Sequence, residues 1–143
     1  MRRHVDADIL PGVSHALLEG HESIELHCAG GPTLLKPETI ALMMQNQLPA
    51  GMHIRFPRLG EISGKGFGLG GAPTLAPSPI EPAAAAGEFQ WGGIAGTHWW
   101  ISPRANLAGL LMTQRQWAFW HPFSFEFRQR AYQAVGAGRG KSV

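Results

Sequence analysis

The sequence predicts an α+β domain: an antiparallel sheet of about five strands, with helices from the two ends of the chain packed on one of its faces. Three observations carry this. Residues 13–28 alternate with the period of two expected of half-buried strands. Three further strand segments, 88–94, 96–102 and 107–114, crowd the last third of the chain. Helical spacing flanks both groups, at residues 2–9 and from Pro122 to Gly136. At 143 residues and 44% hydrophobic content the chain can bury one core, so a single domain over 1–143 is expected.

Residues 2–9 form a short helix stopped near Pro11, in which Val5 and Ile9 dock on the sheet and His4 and Asp8 are neighbours one turn apart. In the hairpin that follows, Val13, His15 and Leu17 share one face of the first strand. Ile24, Leu26 and Cys28 share one face of the second, and Gly20 and His21 make the turn. Glu25 and His27 then point away from the apolar face. Pro37 opens a helix expected to reach about Gln47, with Ile40, Met43 and Met44 as its apolar stripe. Residues 49–66 read as loop, and 72–88, APTLAPSPIEPAAAAGE, as a Pro/Ala connection. The C-terminal helix carries Phe127, Ala131 and Val135 on one face.

Charge and composition exclude several classes. A formal net charge of +2, with Arg2, Arg3, Arg128, Arg130, Arg139 and Lys141 scattered towards the ends, argues against nucleic acid and reads as a solvated surface. One cysteine excludes an internal disulfide, and Cys28 reads as a small buried hydrophobe. No apolar run reaches membrane-spanning length, and two acids interrupt MRRHVDADIL where a signal peptide needs its apolar core. A cytoplasmic protein without a membrane partner is expected.

Four passages resemble the serine β-lactamase and β-lactamase-like carboxylesterase family. GEFQWGGIAGTHWWISPRANLAGLLMTQ, residues 87–114, resembles the last three sheet strands of that family, with Trp91, Gly92 and Gly93 where β-lactamases have a Lys-Thr-Gly-type triplet. LLKPETIALMMQNQLP and GKGFGLGG resemble the helix and glycine-rich strand that precede this region, and residues 3–30 resemble the opening helix and hairpin. The resemblance implies that the first strand lies beside the last. It also implies that Trp91, Gly92 and Gly93 edge a substrate cleft, where backbone donors hold the developing oxyanion. The family's nucleophile-bearing helical region does not fall between the two flanks, so a join is expected near Gly30 to Thr33. The domain then divides into 1–30, opening helix and hairpin, and 31–143, the helix and strand portion. No Ser-x-x-Lys occurs, and Tyr132 is followed by Gln133 and Ala134 rather than by a Tyr-x-Asn pattern. A truncated fold implies apolar surface left uncovered around the 38–47 helix and the tryptophans, hence a homodimer or higher oligomer.

Other chemistries fare less well. GFGLGG matches G-x-G-x-x-G, but no helix follows it directly, and close backbone approach explains its glycines better than phosphate binding. No G-x-S-x-G elbow exists, and Cys28 and His27 point to opposite faces of their strand. Seven histidines and ten acids can supply a divalent metal, most simply zinc, whose bound water would replace the serine. The candidate ligands are His4 and Asp8 on the opening helix, His27 on the hairpin and His98 beside the Trp91 strand. Each also has an ordinary structural reading as a solvated or core residue. Two functions therefore stand: a small hydrolase of activated carboxylic or phosphate esters using metal-activated water, or a noncatalytic remnant acting as a structural or interaction module.

Overall fold

The computed structural model describes residues 13–19, 35–56, 60–116 and 121–139. Its main sheet has five strands: β1 (Val13–Glu19), β4 (Ala72–Pro73), β5 (Phe89–Gly92), β6 (His98–Ser102) and β7 (Leu107–Thr113). They run antiparallel in the order β1-β7-β6-β5-β4. A two-stranded sheet, β2 (Ile54–Phe56) with β3 (Gly60–Ile62), lies outside it. The helices are α1 (Pro37–Met44) and α2 (Pro122–Arg139), with one 3₁₀ turn at Ala83–Ala85.

The three C-terminal strands form where their alternation places them. β7 buries Leu107, Leu111 and Thr113 while Leu110 and Met112 are exposed, and β6 buries His98, Trp100 and Ser102. The register puts these two buried sets opposite one another, His98 against Leu111 and Trp100 against Gly109. Glycine is required there: a Cβ on Gly109 would stand 2.1 Å from the Trp100 ring, so the indole lies flat across the strand. Between β5 and β6 the chain turns through Gly96 at φ 84°, and Gly93 N–H closes the turn on Thr97 O at 2.8 Å. That is the three-residue loop in which glycine takes the left-handed position.

β1 pairs along its whole length with β7, Val13 opposite Thr113 and Glu19 opposite Leu107, so the first strand lies beside the last as the family resemblance implies. The second strand of the opening hairpin, the 2–9 helix and the join near Gly30 to Thr33 lie outside the described residues. The fifth described strand is instead β4, from within the Pro/Ala segment read as a connection. Pro73 has no N–H to donate and sits on the sheet's outer edge, where that loss is tolerated.

One face of the sheet is covered by α2. Phe123, Phe127 and Ala131 form its buried stripe, continued by the half-buried Val135, and pack on Trp100, Leu107 and Leu111. Trp100 and Phe127 meet edge to face at 5.7 Å. A second stripe one residue on, Ser124, Arg128 and Tyr132, is buried too. Arg128 is therefore not the solvated surface arginine that the charge pattern suggests.

The other elements are shorter than their sequences predict or escaped prediction. α1 begins at Pro37 as expected but ends at Met44, where Gln45 turns extended and the chain leaves to let Gln47 N–H reach Phe67 O at 2.8 Å. Its Ile40, Met43 and Met44 are half-buried, and none of its residues is buried. Within the presumed loop 49–66, Ile54 pairs with Ile62 and Phe56 with Gly60. Three-residue strands are too short to show a period. The glycine-rich run does permit close approach: a Cβ on Gly68 would meet Met43 O at 2.3 Å, and one on Gly66 would meet Asn46 Oδ1 at 2.5 Å.

Candidate functional site at an open sheet edge

Trp91 and Gly92 end β5 on a stretch of sheet edge with no neighbouring strand. β4 stops at Ala72, opposite Gln90, so nothing continues the sheet opposite Gly92. Gly93 donates inward to Thr97 O, and backbone directions alternate along an antiparallel strand, so the N–H and C=O of Gly92 point outward from the sheet. Trp91 lies half-buried on the sheet face opposite α2, edge-on to Phe67 at 5.1 Å and tilted against Phe56 at 6.3 Å. Gly93 is held small by Thr97, whose Oγ1 would stand 2.5 Å from any Cβ.

A cavity of about 60 Å³ opens at this edge. Its apolar wall is Ile54, Phe56 and Ile62 of the small sheet with Trp91 and Phe125, and its polar floor is Lys65, Glu81, Gln90, His98 and Arg128. The floor is an ion network. Lys65 Nζ meets Glu81 Oε1 at 2.6 Å and Thr74 Oγ1 at 2.8 Å. Arg128 reaches Glu81 Oε1 at 3.0 Å through one terminal nitrogen and Glu88 Oε2 through the other. Ser78 donates to Glu81 Oε2 from both its N–H and its hydroxyl, at 2.9 Å each.

Burial and pairing set the protonation states. Burial opposes the charge on Glu81, but Lys65 and the Ser78 N–H more than offset it and hold the carboxyl down at about 2. Burial likewise works against Arg128, and Glu88 and Glu81 reverse it to raise the guanidinium further. For Lys65 burial outweighs the pull of Glu81, and the ammonium is lowered. Glu88 is pushed up by burial against Arg128. Tyr132, behind the network, is pushed up to about 12 by burial and the nearby Glu88.

His98 sits in the same floor, 5% exposed. Gln90 Nε2 faces Thr74 Oγ1 at 3.4 Å, which turns Gln90 Oε1 towards the imidazole, so His98 Nε2–H donates to it at 2.6 Å. Burial, with the charges of Arg128 and Lys65, drives the imidazole down to about 3 and keeps it neutral. Its Nδ1 has no hydrogen-bond partner among the described residues.

Of the four metal-ligand candidates, only His98 falls within the described residues; His4, Asp8 and His27 lie outside them. Among the described residues no three His, Cys, Asp or Glu side chains gather as a metal site. His53 is exposed, and His121 stacks on Phe123 at 4.9 Å. The sequence missed most of the floor. Lys65 lies in a glycine run that reads as a strand allowing close backbone approach, Glu81 and Glu88 lie in the Pro/Ala segment, and Arg128 has the composition of a surface residue. One signal was available: Ser124, Arg128 and Tyr132 repeat every four residues directly beside the apolar stripe of α2.

No protein-family model matches the chain, and no curated protein matches it. Solved structures do. The β-lactamase Mb2281c from Mycobacterium bovis is 24% identical with a TM-score of 0.57, over 75% of this chain and 39% of that one. EstCE1, a hydrolase with promiscuous acyltransferase activity, is 26% identical with a TM-score of 0.54, over 72% of this chain and 26% of its own. The LovD6 mutant of simvastatin synthase from Aspergillus terreus is 24% identical with a TM-score of 0.56, over 73% and 29%. The fold is thus that of the α+β serine hydrolases. In particular it is a truncated β-lactamase-like fold, and the chain spans between 26% and 39% of the lengths of these three structures. No helix among the described residues is long and apolar enough to cross a membrane.

Proposed function

We propose that the chain is a small hydrolase of activated esters that holds the ester carbonyl at the Trp91–Gly92–Gly93 edge and uses water as its nucleophile. The observation that carries this reading is the outward N–H of Gly92 beside a cavity, on a strand whose glycines keep side chains away from an approaching carbonyl oxygen. The hydrolase and acyltransferase neighbours support the same class. Ser-x-x-Lys does not occur in the sequence, so this reading assigns the attack to water rather than to a serine.

His98 donates its Nε2–H to Gln90, which leaves its buried Nδ1 as the atom that would ligate a metal. Zinc chemistry would draw on this nitrogen together with His4, Asp8 and His27. Zinc content and the hydrolysis of 4-nitrophenyl esters, before and after chelation, test both parts together. Turnover above buffer without an initial burst supports the hydrolase, and its abolition by chelator supports the metal. A second reading, a noncatalytic interaction module, is favoured by the floor's charges, which are locked to each other. Absence of turnover on every activated ester would leave that reading.

A further inference from the structure

Lys65 differs from the other charges of the floor in what its nitrogen leaves open. An ammonium has three N–H groups, and Nζ uses two, towards Glu81 Oε1 at 2.6 Å and Thr74 Oγ1 at 2.8 Å. The third has no partner among the described residues, and Lys65 lines a cavity that is open on one side and walled by Ile54, Phe56, Ile62, Trp91 and Phe125. Burial lowers the ammonium, and Arg128, which shares Glu81 Oε1, lowers it further; Glu81 opposes both without cancelling them. A lysine set in apolar surroundings near a second cation is poised to attack carbonyl carbon. His98 borders the same cavity, and its buried, neutral Nδ1 offers a lone pair with no partner among the described residues.

We propose that Lys65 captures short, unbranched, uncharged aldehydes in this cavity as an iminium. An ammonium and an aldehyde give a protonated imine and one water: Nζ bonds to the carbonyl carbon, the C–O bond breaks, and two of the three ammonium hydrogens leave with the oxygen. His98 Nδ1 takes the first of those protons and returns it to the oxygen. Charge is the same at the start and the end, so Lys65 and Arg128 still answer Glu81 and Glu88, and no carboxylate is stranded. The remaining N–H keeps Glu81, and Thr74 Oγ1, released by Nζ, retains Gln90 Nε2 at 3.4 Å. Size and charge set the class of aldehyde. The cavity, about 60 Å³, is less than half the roughly 150 Å³ that takes up benzene, which favours one slender chain over the two substituents of a ketone. A carboxylate on that chain would meet a network with no spare positive charge. The site needs no ester and does not rest on the hydrolase reading.

Butyraldehyde with sodium cyanoborohydride at neutral pH tests this on the full chain. Hydride from cyanoborohydride adds to the iminium carbon and fixes the adduct as a secondary amine, which peptide mapping locates. Lys65, 8% exposed, is expected to be alkylated faster than the exposed Lys36 by roughly tenfold or more, although burial alone predicts the reverse order. Unfolding in guanidinium chloride should erase the difference, and succinic semialdehyde, of the same length but carrying a carboxylate, should lose it. Ile62→Trp, which fills the cavity, should slow Lys65 to the rate of Lys36 or below, with Ile54→Trp in its place should the first variant fail to fold. Lys65 labelled no faster than Lys36 overturns the proposal. So does a preference that persists in the unfolded chain, in a folded cavity-filled variant or with the charged aldehyde.

Discussion

Arg128 is 2% exposed and bridges two carboxylates that are buried with it. A buried pair gains little over an apolar core of the same shape, but removing one member leaves the other charges stranded. Arg128→Ala should therefore lower stability by about 3–5 kcal/mol, read from urea unfolding, whereas Arg130→Ala on the exposed side of α2 should change it by less than about 1 kcal/mol. Equal effects would mean that the network contributes nothing special. His98 has a pH signature of its own. Its folded value near 3 lies below the usual 6.5, so between those values the unfolded chain binds the extra proton. Stability from this group is complete above about 6.5 and drains away as the pH falls towards 3, at up to about 1.4 kcal/mol per pH unit. Glu81, held near 2 against 4.5, adds a loss of the same sign at lower pH. Unfolding curves between pH 7 and 5 should lose most of their pH slope in His98→Gln, and an unchanged slope would place the titration elsewhere.

At the scale of elements, the tightest fit is β6 against β7. Trp100 has no room beside any side chain at Gly109, so Gly109→Ala should destabilise by about 1–3 kcal/mol through overpacking despite the better strand propensity of alanine. A neutral or stabilising outcome in thermal unfolding would show that the indole can move. These strands and α2 were legible in the sequence because each is long enough for its period to repeat: β7 alternates over seven residues, and α2 repeats Phe127, Ala131 and Val135 at four-residue steps. β2, β3 and β4 were not legible, since two or three residues carry no period and Pro73 argues against a strand. The Trp91-Gly92-Gly93 edge was readable through family resemblance. The ion network beneath it was not, because its four members come from a glycine run, a proline-rich segment and a helix, and only folding brings them together.

For the whole molecule, the uneven covering of the sheet has consequences. α2 seals one face, while Leu110 at 41% and Met112 at 43% exposure lie on the other, and α1 presents Leu42 at 49%. Apolar surface of this kind favours self-association, so light scattering should report a homodimer or larger species; a monomer mass independent of concentration would contradict it. The chemistry carries a matching expectation. Fluorophosphonate and β-lactam probes should leave the intact mass unchanged, since no serine stands in a Ser-x-x-Lys. A stoichiometric serine adduct would expose a nucleophile that the sequence motifs miss.

The central claim is that the Gly92 N–H holds the ester carbonyl, and it is tested most directly by a substitution that removes this donor, with Gly92→Ala, which keeps the N–H, as the control for added bulk. Proline lacks the N–H and is tolerated at an open sheet edge, where no partner strand needs the donor. Steady-state hydrolysis of a 4-nitrophenyl ester by Gly92→Pro, alongside circular dichroism to verify the fold, is the measurement. The account predicts a folded protein whose kcat/KM falls by roughly 10² or more, the usual effect of losing one oxyanion donor. A folded Gly92→Pro variant that cleaves the ester as fast as the parent chain would contradict it.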